Sequence, residues 1–184
     1  MRTLAAITSL AFMLAAGAAL AAAHVTETPA QFVKRLYAVY AADSPWWKPG
    51  DTKAERRAQN AYEARVHADF YDPTFVKLMN DNDTLAAKKG GGEDLDYDPV
   101  CQCQDSGGVY RYVSGQAKGG FFDAVVADNA ADQKPWTLVL KKTAAGWRIY
   151  DVVDTTGSLR TWLGKHNACL RAARTEKQGE ACIS

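Results

Sequence analysis

Apolar side chains between residues 28 and 88 recur at helical spacing. In TPAQFVKRLYAVYAAD they fall at i, i+3, i+4, i+7 and i+8, and Thr28 with Pro29 supplies a cap and a first turn. A second helix is predicted from about Glu55 through Phe70, and a shorter one begins after Pro73. Helices therefore come first in the folded part of the chain.

After Ser106, the spacing of apolar side chains changes from the helical period to a period of two residues. Segments rich in Val, Tyr, Phe, Trp and Ile predict four strands: VYRYVSG, FFDAVVADN, WTLVLKKT and WRIYDVV. The connection TAAG between the last two is a short hairpin loop. We predict an antiparallel meander, because each strand follows its neighbour closely along the chain.

Alternation also predicts which side chains share a face of the sheet. One face of the third strand carries Trp136, Leu138 and Leu140. In the fourth strand, Trp147, Ile149 and Asp151 are expected to oppose Arg148, Tyr150 and Val152.

A final helix is predicted over SLRTWLGKHNACLRAAR, with Ser158 as its cap. Leu159, Trp162, Leu163 and, a turn further on, Cys169 and Leu170 are expected to face inward. Helices, a meander and a closing helix together predict an α+β fold. In it, N-terminal helices pack on a curved antiparallel sheet of about four strands, and a C-terminal helix closes the structure.

The first 23 residues form an export signal by pattern. Arg2 precedes an apolar stretch, and Ala21-Ala22-Ala23 has the small-residue form that a signal peptidase cleaves. We predict a signal peptide over residues 1–23 and a single exported domain over residues 24–184, in the periplasm or secreted. A retained membrane anchor stays open, because the apolar run approaches the length that spans a bilayer.

The charge balance excludes two classes of partner. Removal of residues 1–23 takes away Arg2 and leaves 21 basic against 21 acidic residues. Binding to nucleic acid or to anionic lipid depends on clustered Lys and Arg. We therefore expect no nucleic-acid partner and no membrane association after signal cleavage.

Four cysteines lie in the exported part, an even number that predicts disulfides in an oxidising compartment. We favour Cys169 with Cys182, which leaves Cys101 with Cys103. In an extended chain the latter pair would have Cα atoms about 6.5–7 Å apart, the upper edge of bridging geometry, so its bond would be strained and comparatively reducible. Cross-pairing between the two sets is the alternative.

The acidic loop, residues 95–105 with the sequence LDYDPVCQCQD, concentrates polar groups. Its candidate residues are Asp96, Asp98, Gln104 and Asp105. They either hold a ligand or hold the loop itself by accepting hydrogen bonds from backbone amides, as Asp before Pro does in turns. Their spacing matches no known metal cage, so we predict no metal and no cofactor.

Several segments together resemble a bacterial family catalogued as domain of unknown function 3828. The segments are FVKRLYAVY, YDPTFVKLM, LDYDPVCQCQD, GWRIYDVV and GSLRTWL, within residues 28–163. Members are secreted or periplasmic, and some are lipid-anchored. The resemblance implies a nuclear transport factor two-like (cystatin-like) fold, a cone in which a bent antiparallel sheet wraps a long helix. It carries over no catalytic residue, because the family has none established.

The function we expect is that of a non-enzymatic periplasmic binding or accessory domain for a small molecule or a protein. One alternative is a cone-pocket acid–base enzyme of the isomerase or dehydratase kind. Asp98 or Asp105 would be its base, and Tyr97, Tyr110 or Tyr112 its oxyanion donor. A second alternative is an immunity protein that neutralises a toxin. No motif in the chain dictates a reaction.

Overall fold

The computed structural model describes residues 26–41, 51–89, 95, 97–104, 108–129 and 134–183. The predicted signal peptide, residues 1–23, lies outside them, as do Asp96 and Asp105. Within the described residues the elements are, in chain order, α1 (Pro29–Tyr37), α2 (Lys53–Phe70), α3 (Pro73–Lys88), β1 (Tyr110–Lys118), β2 (Phe121–Asp128), β3 (Trp136–Thr143), β4 (Gly146–Asp154), β5 (Gly157–Ser158), α4 (Leu159–Ala172) and α5 (Glu176–Ile183).

Helix starts follow from local capping. Thr28 accepts from the amide of Gln31, whose side chain accepts from the Thr28 amide, and this capping box begins α1. Thr52 and Glu55 form the same box, so α2 begins at Lys53, earlier than predicted. Such pairs satisfy amides that the first turn leaves without partners.

The strands form one antiparallel meander in the order β1-β2-β3-β4-β5. The turn between β1 and β2 uses Gly119 and Gly120, both at positive φ, as a two-residue hairpin turn requires. The two-residue strand β5 was not predicted. The α+β class is confirmed, and so is the helix that follows the sheet.

The predicted faces of the sheet are right in β3 and wrong in β4. Trp136, Leu138 and Leu140 are all buried, as alternation requires. In β4, however, Asp151 pairs with Val139 and Ile149 pairs with Leu140, which makes Tyr150 an extra residue, a β-bulge. The bulge places Ile149 and Val152 on the core side, opposite Leu140 and Leu138. Strict alternation had assigned them to opposite faces.

The core lies between the inner face of the sheet and the apolar face of α1. Helix α1 contributes Phe32, Val33 and Leu36, and all three are buried. Helix α4 also buries one stripe, formed by Leu163, His166, Asn167 and Leu170. Trp162 is one position away from that stripe and is 40% exposed, so the expectation that it faces inward is wrong. Cys169 is exposed as well, so the expectation is wrong for it too.

The end of the chain is helical and is joined to α4 by a disulfide. Cys169 and Cys182 are bonded, with Cα atoms 5.9 Å apart, which confirms the favoured pairing. Helix α5 was not predicted. Across the described residues, no helix combines the length and the apolar character required to cross a membrane.

Replacing both Cys169 and Cys182 by serine is expected to lower the free energy of unfolding by about 3 kcal/mol, because the bond restricts the unfolded chain. Neither residue is buried, so the serines themselves cost little. Urea denaturation in oxidising buffer measures the loss. In reducing buffer the variant and the wild type should be equally stable, and a difference that persists there would contradict this account.

Candidate functional site

The middle of the acidic loop is anchored in the protein interior by one carbonyl group. Val100 is fully buried, and its backbone oxygen accepts from the Tyr37 hydroxyl at 2.7 Å and from the Trp136 indole N–H at 3.1 Å. These donors come from the end of α1 and from β3. The loop is therefore held by a helix on one side and by the sheet on the other.

A tight turn closes the loop around its two cysteines. The Asp98 amide donates to the Cys103 carbonyl at 2.8 Å, and the Cys103 amide donates back at 3.3 Å. Between the cysteines, Gln102 has a left-handed φ of 54°. The Cys101–Cys103 disulfide is confirmed, but its Cα atoms are 5.1 Å apart. The expectation of an extended chain here was wrong, because the turn brings the pair within ordinary bridging distance.

Both oxygens of the Asp98 carboxylate accept hydrogen bonds from the protein. Oδ1 accepts from the Val100 amide at 2.8 Å, and Oδ2 accepts from the Tyr40 hydroxyl at 3.0 Å. The Tyr40 oxygen also lies 3.1 Å from the Tyr71 hydroxyl. Tyrosines from the turn after α1 and from the residue that follows α2 thus lie next to a carboxylate that belongs to the loop.

Burial changes the acidity of this group. Burial raises the pKa of Asp98, and the hydrogen bonds from Val100 and Tyr40 oppose that shift only in part. Burial also raises the pKa values of Tyr37, Tyr40 and Tyr71 well above 10, and the nearby Asp98 charge adds to the effect. The three hydroxyls therefore keep their protons and remain donors at neutral pH.

An open space lies beside this anchor, between α1 and β1. This space, the α1–β1 groove, has a volume of about 640 Å³. It is lined by Ala30, Val33, Lys34, Tyr37, Ala38 and Ala41 of the α1 segment and by Gly108, Val109, Tyr110, Arg111 and Tyr112. Tyr110 stacks on Tyr37 with ring centroids 4.6 Å apart, and burial raises the pKa of Tyr110 to about 12.

A second space, the Trp162 pocket, lies where β4 leads into α4. Its volume is about 340 Å³. The lining residues are Leu95, Tyr97, Asp154, Thr156, Gly157, Ser158, Leu159 and Trp162. The pocket is thus largely aromatic and aliphatic, with polar groups from one turn.

A separate buried carboxylate joins α3, β3 and α4. Asp72 is 3% exposed and accepts from the Thr74 amide at 2.9 Å, from Lys141 at 3.2 Å and from Arg160 at 3.4 Å. Burial by itself would raise the pKa of Asp72, but the hydrogen bonds from Thr74 and Lys141 outweigh it and lower the value. Asp151 accepts from the amides of Val152 and Arg160, both at 2.8 Å.

The structure separates the residues that the sequence grouped into one site. Asp98 is half-buried, Gln104 is exposed, and Asp96 and Asp105 are outside the described residues. The predicted oxyanion donors are also divided between two places. Tyr97 lines the Trp162 pocket, whereas Tyr110 and Tyr112 line the α1–β1 groove.

The tyrosine that contacts Asp98 is Tyr40, which the sequence marked only as an apolar position of a helix. Helical periodicity shows that a side chain is buried, but not which group its hydroxyl meets. Arg160 and Asp72 were missed for a similar reason, because they are far apart in sequence and meet only through packing.

Comparison with known proteins finds similarity to the protein YqhG of Escherichia coli (strain K12), which is described as uncharacterised. The two are 31% identical over 161 residues, which cover 84% of this chain and 48% of YqhG. The chain thus spans about half the length of that relative. No protein-family model and no solved structure matches the chain.

Tyr40→Phe is expected to lower the free energy of unfolding by about 1–3 kcal/mol, because it leaves Asp98 Oδ2 without its protein donor. Tyr71→Phe is the matched control, since it removes a hydroxyl from the same cluster and leaves the Tyr40–Asp98 bond in place. Urea denaturation of both variants compares them. A loss in Tyr71→Phe as large as that in Tyr40→Phe would contradict the assigned role.

Asp98→Asn is expected to become more stable relative to the wild type as pH rises. The raised folded pKa means that the folded state binds the proton more tightly than the unfolded state does. The stabilisation from Asp98 is therefore complete below the unfolded pKa of about 3.9, decreases as pH rises through the folded pKa, and is constant above it. The variant has no such titration and keeps an oxygen that can accept from the Val100 amide.

The measurement is the difference in free energy of unfolding between variant and wild type across about pH 3.5 to 7. Asp69→Asn, at an exposed position on α2, is the control whose difference should change little. A relative stability of Asp98→Asn that falls with rising pH would contradict the assigned shift.

Proposed function

We propose that this protein is a non-enzymatic binding or accessory domain that takes up an extended segment of a partner protein in the α1–β1 groove. The observation that carries the proposal is the position of the open space. It lies beside the start of an edge strand, whereas Asp98, the base of the alternative enzyme, accepts hydrogen bonds from the protein at both carboxylate oxygens. An immunity protein would be one form of such a partner-binding domain.

The edge of the sheet supports an extended partner. Strand β1 is nine residues long and is first in the strand order, so it pairs with β2 on one side, and no other described strand pairs with it. An added strand would bond to its outer backbone groups, and pockets beside it would receive alternate side chains. Val109 and Val113 are 60% and 42% exposed, which gives that edge apolar contacts to bury.

The charge of the groove indicates which kind of segment would bind there. The charged side chains that line the groove are Lys34 and Arg111, both basic. Arg111 Nε donates to Asn129 Oδ1 at 2.6 Å, which holds its guanidinium group in place. An extended segment with apolar side chains and at least one Asp or Glu would complement this surface.

We infer membership of the domain of unknown function 3828 family and a periplasmic or secreted location. Two disulfides suit an oxidising compartment. The order of helices, meander and closing helix agrees with the fold that the resemblance implies. The segments most specific to the resemblance contain Asp98 and Asp151, and both carboxylates hold backbone amides here.

The acid–base enzyme has less support. A raised pKa is a property of many general bases, and Asp98 has one. Its two oxygens, however, already accept hydrogen bonds from the Val100 amide and the Tyr40 hydroxyl. Asp98 also does not belong to the lining of the α1–β1 groove or of the Trp162 pocket. A substrate in either space would not contact it.

Selection from a displayed library of random linear peptides about as long as β1 tests the proposal, with the oxidised mature protein as bait. Enriched peptides are expected to alternate apolar residues and to carry an acidic one. Ala38→Trp should weaken the binding of these peptides about tenfold or more, because Ala38 is exposed and lines the groove, so the indole would occupy the space that the peptide needs.

The matched control is Ala58→Trp, which adds the same side chain at an exposed position of α2 outside the groove. It should leave binding unchanged. Failure to enrich any peptide, or equal binding to the Ala38→Trp variant, would overturn the proposal. Circular dichroism of both variants checks that the added indole has not disturbed the fold.

A further inference from the structure

The Trp162 pocket presents an aromatic face that is already in place. Trp162 is one of the few large apolar residues that are well exposed among those described, at 40%. Its ring is supported by His166, with ring centroids 4.4 Å apart in an edge-to-face arrangement. Tyr97 contributes a second aromatic side chain to the lining. The Trp162 ring is already held in position, so a ligand that binds against it would cost little conformational entropy.

Among the described residues of the lining, the charged group is the carboxylate of Asp154. Its Oδ1 accepts from the Thr156 amide and hydroxyl, both at 2.6 Å, and from the Gly157 amide at 3.2 Å. These bonds fix the carboxylate in the turn after β4. Among the described residues, no hydrogen bond or ion pair is made by Oδ2, which leaves one oxygen for a ligand.

The polar groups at the start of α4, beside the pocket, already have hydrogen-bond partners within the protein. The pocket includes the start of α4, and the amide groups of a first turn would ordinarily attract an anion. Here the Arg160 amide donates to Asp151 and the Thr161 amide donates to Ser158, at 2.8 and 3.0 Å. The Ser158 hydroxyl itself donates to Asp151 at 2.5 Å. These groups at the helix start therefore offer little to an anion.

We propose that the Trp162 pocket binds a small organic cation, an ammonium group with apolar substituents. The cation lies against the faces of Trp162 and Tyr97, and its charge is balanced by Asp154 Oδ2. Attraction of a cation to an aromatic face adds to that of the carboxylate, and both strengthen as the apolar walls exclude water. A volume of about 340 Å³ admits a ligand of choline size. The site is independent of the α1–β1 groove.

Choline and its neutral isostere 3,3-dimethylbutan-1-ol are the probes. The readout is the indole N–H signal of Trp162 in a two-dimensional ¹⁵N NMR spectrum of the oxidised mature protein. That signal is assigned by its loss in the Trp162→Phe variant. Choline is expected to shift it in a saturable manner, and the isostere should bind at least about tenfold more weakly because it lacks the charge.

Asp154→Asn keeps an oxygen acceptor for the Thr156 and Gly157 amides and removes the charge, so it should weaken choline binding about tenfold. Asp69→Asn removes one exposed negative charge from α2 and should leave the affinity unchanged. Absence of a saturable shift, equal binding of the isostere, stronger binding of acetate, or equal losses in the two variants would each overturn the proposal. The comparison of the two probes on the wild type holds even if Asp154→Asn does not fold.

Discussion

The fold depends on the hydrogen bonds that satisfy the buried carbonyl of Val100. Burial of a backbone oxygen in an apolar interior without a hydrogen-bond donor costs about 2–7 kcal/mol of free energy. Tyr37 and Trp136 both donate to it, and they belong to the helix and to the sheet that form the core. The loop can be buried because these two layers present donors, and the layers are held together by the oxygen they share.

The same constraint explains the carboxylates that look reactive in the sequence. Asp98, Asp72 and Asp151 each accept from backbone amides and from side-chain donors, so each holds a segment of the chain in place. A carboxylate that is removed from water is tolerated when it is bonded in this way. The acidic side chain at Asp98 therefore has a structural role here, and its place in a polar loop does not by itself indicate a reaction.

Open space remains where the sheet and the helices stop covering one another. The α1–β1 groove lies at the β1 edge of the sheet, and the Trp162 pocket lies at the junction of β4, β5 and α4, near the opposite edge. Edges lack a neighbouring strand, and helix starts expose one face to solvent. Apolar residues that find no cover at these places, such as Val109 and Trp162, give each space its binding character.

The sequence by itself determined the class of fold and the starts of α1 and α4, and it favoured the Cys169–Cys182 bond, because caps, periodicity and short loops act between residues close along the chain. Only the tertiary structure decided which side chains far apart in the sequence contact each other. Tyr40 reaches Asp98 and Arg160 reaches Asp72 through packing, across separations of 58 and 88 residues. The bulge at Tyr150 and the exposure of Trp162 likewise depend on which neighbours cover each element. Local patterns predict that a side chain is buried or exposed, whereas its partner is set by how whole elements pack.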